Sequence, residues 1–422
     1  MRIWVIKDGE LLPSQSDERL MRTGMLAKEL VVRGHDVTWW ATTFSHQHKM
    51  LVRDRGGDIV IGPRYRLRLL HAGAYRRNVS ATRYLHHWRA GVEFRRQALL
   101  PAPPDVIVTA FPTIDLAFEA IRYAKHHDVP VIIDVRDAWP DVFVEKTPWM
   151  LKLAARFVFA ADRWRAKYAL RGAQSIVATS KAYLRWGAKN AGRSVGNDDR
   201  VFYIGYPTPE RITASTRRDA IRRRCSESTI FTFIGSFGPS YELDLICDAA
   251  EVVRDREEIH FVIAGAGQQG AMLERRVRTL ANVTLLPWQN AAEARALLQA
   301  SHVGLVPCRF ARDRMPNKVF EYFGAGLPIL SSLEGETETL LSDSHAGLSY
   351  RCGDVTAFVR HVERLSSDVT LRERLALNSA RLFDSQFAAE GIYQAYAEHV
   401  EQVARDGAAA SRCDSHRCRS AS

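Results

Sequence analysis

Three side chains spaced within one short stretch, Asp313, Lys318 and Glu321, have the chemistry to hold a charged, hydroxyl-rich ligand. They lie in HVGLVPCRFARDRMPNKVFEYFGAGLPILSSLEGETETLLSDSHAGL (302–348), where an apolar strand opens into a loop crowded with charge and then a helix. Glu321, one turn into that helix, can accept hydrogen bonds from two adjacent hydroxyls of a ribose. Asp313, on the feeding loop, can face a sugar ring. Lys318, with Arg309, Arg312 and Arg314, offers positive charge to a diphosphate. A strand–loop–helix at the carboxyl edge of a parallel sheet adds the free N–H groups of the helix start at Asn317, which favour phosphate. Outside such a context, an aspartate and a glutamate at this spacing would be two surface carboxylates.

The elements that must position this set are legible in the apolar runs. Residues 2–6 (RIWVI), a helix over Arg22–Arg33 with Gly34 at its C-terminal cap, and DVTWWAT make a βαβ unit, hence a parallel sheet. Buried strands at 105–110, 130–135 and 174–179 alternate with helical stretches and complete one doubly wound domain. A second series follows the proline-bearing IGYPTPE (204–210): strands at 230–235, 259–264, 282–286, 302–306 and 327–331. The 422 residues exceed one ordinary core and divide into two α/β domains, 1–208 and 209–382. A helix at 383–403 packs back towards the first domain, and 404–422 reads as a disordered tail.

The segment PNKVFEYFGAGLPIL, followed by AGLSYRCGD, resembles the donor-site signature of retaining glycosyltransferases of family 4. The resemblance covers about residues 1–400. It implies the GT-B fold, an α/β architecture of two Rossmann-like doubly wound parallel-sheet domains facing across a cleft. It also implies that Glu321 holds the ribose and that Asp313, where the family has a glutamate, lies near the transferred sugar. GSFGPSYELDLICDAA (235–250) resembles the family's first strand and glycine turn, with Gly235 and Gly238 letting backbone approach the phosphates. The family commonly has an arginine and a lysine in this turn. Ser236 and Tyr241 stand near those places, so Lys318 is the candidate for balancing the diphosphate. Gly265 and Gly267 in IAGAG, and Trp288 in NVTLLPW, join the implied donor site.

In the N-terminal half, LMRTGMLAKELVVRGHDVTWWATTFSHQHK, AYRRNVSATR and DVRDAWPDVF resemble the subgroup that assembles lipopolysaccharide O-antigen, capsule and other surface polysaccharides. Arg19, Arg22, Arg136 and Asp137 are the acceptor-binding candidates. Val135-Arg136-Asp137 replaces a loop that carries histidine in many family members, and His35 reads as a turn residue. The implied activity is a hexosyltransferase-type transfer, with retention, from a nucleotide-sugar (UDP-sugar favoured) to a lipid-linked saccharide. No metal or cofactor is implied, because the nucleotide-sugar is a co-substrate and helix amides with Lys318 neutralise the diphosphate.

Net charge is +11, and nine arginines fall between Arg64 and Arg96 against one acid, Glu93. Such a block suits an anionic partner or forms a solvated basic face. PWMLKLAARFVFAADRWRAKYALR (148–171) reads as a basic amphipathic helix with Trp149, Leu153, Phe157 and Trp164 on one face. It is either an interfacial helix at an anionic membrane surface or a helix packing that face into the core. The expectation is a cytoplasmic protein, peripheral at the inner face of the cell membrane. No apolar run approaches a membrane span, and the opening residues read as a strand, not a signal peptide. The six cysteines are scattered without CxxC, which argues against zinc and a disulfide framework. No helix-turn-helix, RNP-like or zinc pattern supports nucleic-acid binding. A GT-B nucleotide-sugar epimerase and a non-catalytic GT-B scaffold are the alternatives.

Overall fold

The computed structural model describes residues 1–13, 20–77, 80–208, 228–309 and 315–419, with the side chains of residue 146 and of 410–419 left aside. The chain forms two compact units: Met1–Tyr203 with Tyr393–Ser422, and Ile204–Ile392.

Unit 1 is built on an eight-stranded sheet. Its strands are β1 (Arg2–Ile6), β2 (Asp36–Thr42), β3 (Gly57–Gly62), β4 (Tyr65–Leu70), β5 (Val106–Phe111), β6 (Val131–Val135), β7 (Ser175–Ala178) and β8 (Arg200–Val201), in the spatial order 8-7-6-5-1-2-4-3. All pairs are parallel except β3–β4. Strands β5, β6 and β7 are buried at every position, as near-continuous apolar runs in a parallel sheet covered on both faces must be. The covering helices are α1 (Arg22–Val32), α2 (Ala81–Gln97), α3 (Ile114–His127), α4 (Asp141–Lys146), α5 (Lys152–Val158), α6 (Ala160–Gly172) and α7 (Lys181–Ala191).

The arginine block does not form one basic face. Along β4 Arg66 and Arg68 alternate with the buried Tyr65, Leu67 and Leu69, so a strand alternation lies beneath the charge. Arg68 then pairs with Asp58 and lies 5.1 Å from the Trp40 ring, and Arg95 and Arg96 reach Glu119 and Glu93. Nor is 148–171 one helix. A 3-10 turn (Trp149–Leu151), α5 and α6 are separated at Phe159, which turns inward to stack on Phe143 at 5.6 Å.

Unit 2 has six parallel strands: β9 (Thr229–Ser236), β10 (Ile259–Ala266), β11 (Val283–Leu286), β12 (Val303–Val306), β13 (Ile329–Ser331) and β14 (Gly347–Ser349), ordered 11-10-9-12-13-14. Helices α8 (Leu243–Val252), α9 (Gly270–Val277), α10 (Ala291–Ala300), α11 (Asn317–Gly324), α12 (Glu336–Ser344), α13 (Val355–Ser367) and α14 (Val369–Leu382) cover it. The order reverses between β9 and β12, and the β9 turn and α11 sit at the carboxyl ends of this switch point, where a doubly wound sheet takes its ligand.

The last helix, α15 (Ala389–Arg419), passes from unit 2 into unit 1 at Tyr393. There Tyr396 stacks on Phe202 at 4.6 Å, and Glu401 binds Arg33 and His35. The helix runs through 404–419, which the sequence reading placed in a disordered tail, 404–422; residues 420–422 lie outside the described residues. Ala404 is buried, and a Cβ added to Gly407 would lie 2.7 Å from Pro130, so packing and an alanine-rich sequence carry the helix onward.

Candidate functional site

The turn after β9 is built on glycines that face each other across the sheet. Gly235 and Gly265 are register partners at the ends of β9 and β10, with φ of +135° and +150°. A Cβ on Gly265 would stand 1.8 Å from the Gly235 carbonyl oxygen, and one on Gly267 would stand 2.9 Å from Phe237 backbone. The 236–238 segment therefore folds onto 265–267 and donates Phe237 N–H to Ala266 O at 2.8 Å. Gln269, which the sequence reading missed, pins the turn: its Nε2 donates to the Gly238 and Tyr241 carbonyls at 2.6 and 3.0 Å. At Gly238 an added Cβ would meet only Ser236 Oγ, at 3.8 Å; no close contact within the unit requires that glycine.

Helix α11 is held against this turn by Tyr322. Its ring lies over β12, where Gly304 leaves room (an added Cβ would be 2.4 Å from the ring), and its hydroxyl accepts Ile234 N–H at 3.1 Å. One turn back, Lys318 is buried, and its Nζ lies 3.7 Å from the Phe233 ring centre and 3.6 Å from that of Tyr241. It has no hydrogen-bond partner among the described residues and is 3.5 Å from where a Cβ on Gly235 would be. Burial pushes its pKa down to about 7, while Cys308 and Glu321 pull weakly upward. The two flanking rings supply cation–π attraction but no acceptor. Tyr241 was noted in the sequence only as standing near a missing lysine. Its ring in fact forms one wall around the amine that α11 provides.

Glu321 is half-buried on α11, next to Tyr322, and Asn317 is exposed at the first helical position. Pro316 precedes it without a side-chain cap; Val319 N–H donates to the Pro316 carbonyl at 3.0 Å, and the N–H groups ahead of it have no partner in the helix itself and suit an anion. Trp288 is 62% exposed after β11. Asp313 and Arg314, and Arg312 with them, lie outside the described residues. Arg309 is turned to Asp244, which it meets at 2.6 Å. Glu242, unnoticed in the sequence, is buried and accepts the Gly353 N–H at 3.0 Å.

In unit 1 the candidates fare differently. Arg19 lies outside the described residues. Arg22 is buried, donating to Asp134 at 2.8 Å and to the Phe202 and Tyr203 carbonyls. Arg136 donates to Asp134 at 2.9 Å and pairs with Glu10, whose carboxylate also binds Thr23. Burial drives the Asp134 carboxyl upward, but the Arg136 and Arg22 guanidinia outweigh it and hold it below the usual range. Both arginines are thus engaged inside the unit. Asp137 is half-buried and accepts Ala138 N–H at 2.9 Å.

Beside this network, at the carboxyl ends of β5 and β6, a small open pocket of about 100 Å³ is lined by Pro112, Ile114, Trp139, Phe143 and Phe159. Its rim carries Arg83, Tyr84, His87, Asp115 and Asp162. Arg83 lies 4.7 Å from the Trp139 ring centre, Tyr84 donates to Asp162, and burial pushes Asp115 up to about 6. Apolar walls with a few fixed polar groups suit a sugar face or another amphipathic ligand. Neither this pocket nor its aromatic lining was singled out in the sequence, since its walls come from segments as far apart as 80 and 162. Among the described residues no group of three or more His, Cys, Asp or Glu could hold a metal ion, and no helix is long and apolar enough to cross a membrane.

Two family models match the chain: the glycosyl transferase 4-like domain over residues 21–204 and glycosyl transferases group 1 over 228–368. A segment of 149 residues is 26% identical to the lipopolysaccharide core biosynthesis glycosyltransferase LpsE of Rhizobium meliloti, covering 35% of this chain and 43% of that one. The match therefore spans less than half of that relative's length. The D-inositol 3-phosphate glycosyltransferase of Salinispora arenicola is 24% identical over 330 residues, 69% of this chain and 73% of that protein. Among solved structures, Anabaena HepE in complex with UDP superposes with a TM-score of 0.65 at 13% identity, covering 95% of this chain and 100% of that one. At that identity the likeness speaks for the fold, which is GT-B.

Proposed function

We propose, from the premise that this chain is built as a GT-B glycosyltransferase in both its halves, that it transfers a sugar, with retention, from a nucleotide-sugar to a saccharide carried on a membrane lipid. The observation that carries the donor half is Lys318: a buried amine without an acceptor among the described residues, walled by Phe233 and Tyr241, beside a turn that glycine leaves open at Gly235. A diphosphate there gains a cation whose desolvation has already been met by the fold, together with the uncapped N–H groups of α11. Glu321 takes the ribose hydroxyls, and Asp313 takes the sugar. The departing diphosphate accepts the acceptor's proton as the acceptor attacks from the same face, so catalysis rests on positioning and electrostatics. UDP is the favoured nucleotide, in keeping with the UDP held by HepE. The likeness to LpsE supports lipopolysaccharide or related surface polysaccharide as the product.

The acceptor end belongs to unit 1, where the aromatic pocket between Pro112 and Trp139 can take a sugar face. The membrane reading draws support from 149–164: Trp149 is 81% exposed, Phe157 75% and Trp164 60%. Apolar side chains so exposed support an interfacial role. Such a surface with flanking basic residues suits the inner face of an anionic membrane.

Thermal-shift measurements with UDP-, GDP- and dTDP-sugars test the donor, and nucleotide release that requires an acceptor separates transfer from epimerisation. Glu321→Gln is expected to lower nucleotide affinity at least about tenfold with the fold intact, since it weakens charge-assisted bonds contributing about 1.5–3 kcal/mol each. Unchanged affinity by calorimetry would remove Glu321 from the donor site. Activity is expected to withstand EDTA, because the amine and helix amides neutralise the diphosphate; a complete loss that metal restores would contradict this mechanism.

A further inference from the structure

Unit 1 has a second pocket, apart from the aromatic one, beneath the exposed apolar residues. It is an open pocket of about 400 Å³ between α4, α5, α6 and α7. Lys152, Arg156, Arg163, Lys167 and Lys189 line it, against the acids Asp141 and Glu145. Asp141 is already committed: it accepts from Arg163 Nε at 2.9 Å and from Trp186 Nε1 at 3.0 Å. Among the described residues Lys152, Arg156, Lys167 and Lys189 have no ion-pair partner. Five cations against the two acids Asp141 and Glu145 leave the lining with a net charge of +3, and three helices hold the four unpaired cations there at some cost in mutual repulsion.

The placement on α5 says where the anion comes from. Lys152 and Arg156 are one turn apart and line the pocket, whereas Leu153 and Phe157, shifted by one position, are 66% and 75% exposed. One short helix thus carries an apolar stripe beside a basic stripe, the arrangement that puts carbon at acyl-chain depth and charge at headgroup depth.

We propose that this pocket binds the phosphate group of an anionic membrane lipid, with Leu153, Phe157 and Trp149 entering the hydrocarbon beside it. The inference rests on the membrane reading above and adds to it a defined phosphate site, distinct from the aromatic pocket and from diffuse surface charge. The phosphate it takes is presented by the bilayer and is not a soluble anion.

The test compares full-length protein on phosphatidylcholine vesicles with and without about 20 mol% phosphatidic acid. Lys167→Glu with Lys189→Glu changes the pocket; Lys181→Glu with Arg185→Glu makes the same charge change on exposed residues that do not line it. The pocket pair is expected to weaken binding to phosphatidic acid vesicles at least about tenfold, and the control pair less than about threefold. Both pairs should keep the salt-resistant partition that the apolar residues give. Equal weakening by the two pairs would reduce the site to diffuse electrostatics and overturn it. Wild-type binding that ignores phosphatidic acid would overturn the pocket while leaving the membrane reading standing. Failure to bind either vesicle would sink both, and light scattering showing a dimer through Trp149 and Phe157 would assign the apolar face to a second copy of the chain. Inorganic pyrophosphate binding that the pocket pair abolishes, without lipid binding, would assign the site to a soluble anion and overturn the lipid source.

Discussion

Replacing Gly265 by alanine is expected to destabilise unit 2 and abolish measurable nucleotide binding. The new methyl would stand 1.8 Å from the Gly235 carbonyl oxygen and 2.9 Å from a Phe237 ring carbon. The first of these neighbours is backbone inside a parallel register and cannot rotate away. Overpacking of this kind costs about 1–3 kcal/mol, and a side chain at φ near +150° adds roughly 1–3 kcal/mol of backbone strain. The turn must open to relieve the clash, and opening it disturbs the Gln269 contacts that hold Tyr241, one wall around Lys318. Gly238→Ala is the control, because its methyl would meet only Ser236 Oγ at 3.8 Å. Calorimetric unfolding should show the first variant melting well below wild type and the second near it. A Gly265→Ala protein of normal stability and normal UDP affinity would mean that the turn does not frame the donor.

Lys318→Met is expected to have opposite effects on stability and binding: a higher melting temperature and a loss of UDP affinity of about a hundredfold, by the loss of charge-assisted bonds to a diphosphate. Methionine fits a pocket walled by rings and leaves no buried charge to desolvate. The same burial sets a pH signature. With the folded pKa near 7 and the ordinary lysine value at 10.5, the folded protein releases this proton before the unfolded chain does. The destabilisation by Lys318 is therefore full below pH 7 and is relieved as pH rises from about 7 towards 10.5. Nucleotide binding runs the other way, since a diphosphate draws the proton back onto the amine. UDP binding at a pH about one unit above 7 should then take up close to one proton, read from the dependence of the binding enthalpy on buffer ionisation. Proton uptake that persists in Lys318→Met would place the titrating group elsewhere.

Neither prediction could be made from the sequence, although both residues were named there. The glycines of GSFG and IAGAG pointed to tight turns, but sequence does not pair two strands. Only the register that sets Gly235 opposite Gly265 shows which added methyl would collide with backbone. Lys318 was read as a cation for phosphate; that it is buried between Phe233 and Tyr241, without an acceptor among the described residues, follows from the packing of α11 on β9 through Tyr322.

What the sequence determined by itself was the alternation of buried strands and amphipathic helices, hence two parallel-sheet halves. Continuous apolar runs such as VIVTAF and VIIDV bury both faces only inside a covered parallel sheet. It also determined the helix start at Asn317 and the positions of Lys318 and Glu321 upon it. Charge was where local reading fell short. Arg22 and Arg136, the acceptor-binding candidates, are held by carboxylates that local reading did not pair with them: Arg22 by Asp134, 112 residues on, and Arg136 by Glu10, 126 residues back, besides its near neighbour Asp134. The arginine block disperses because a strand and a helix send its members to different sides, while Lys152, Arg156, Lys167 and Lys189 converge from three helices. A charged side chain is long and its partner is chosen by proximity in space, so its role is fixed only when the fold decides which charges meet.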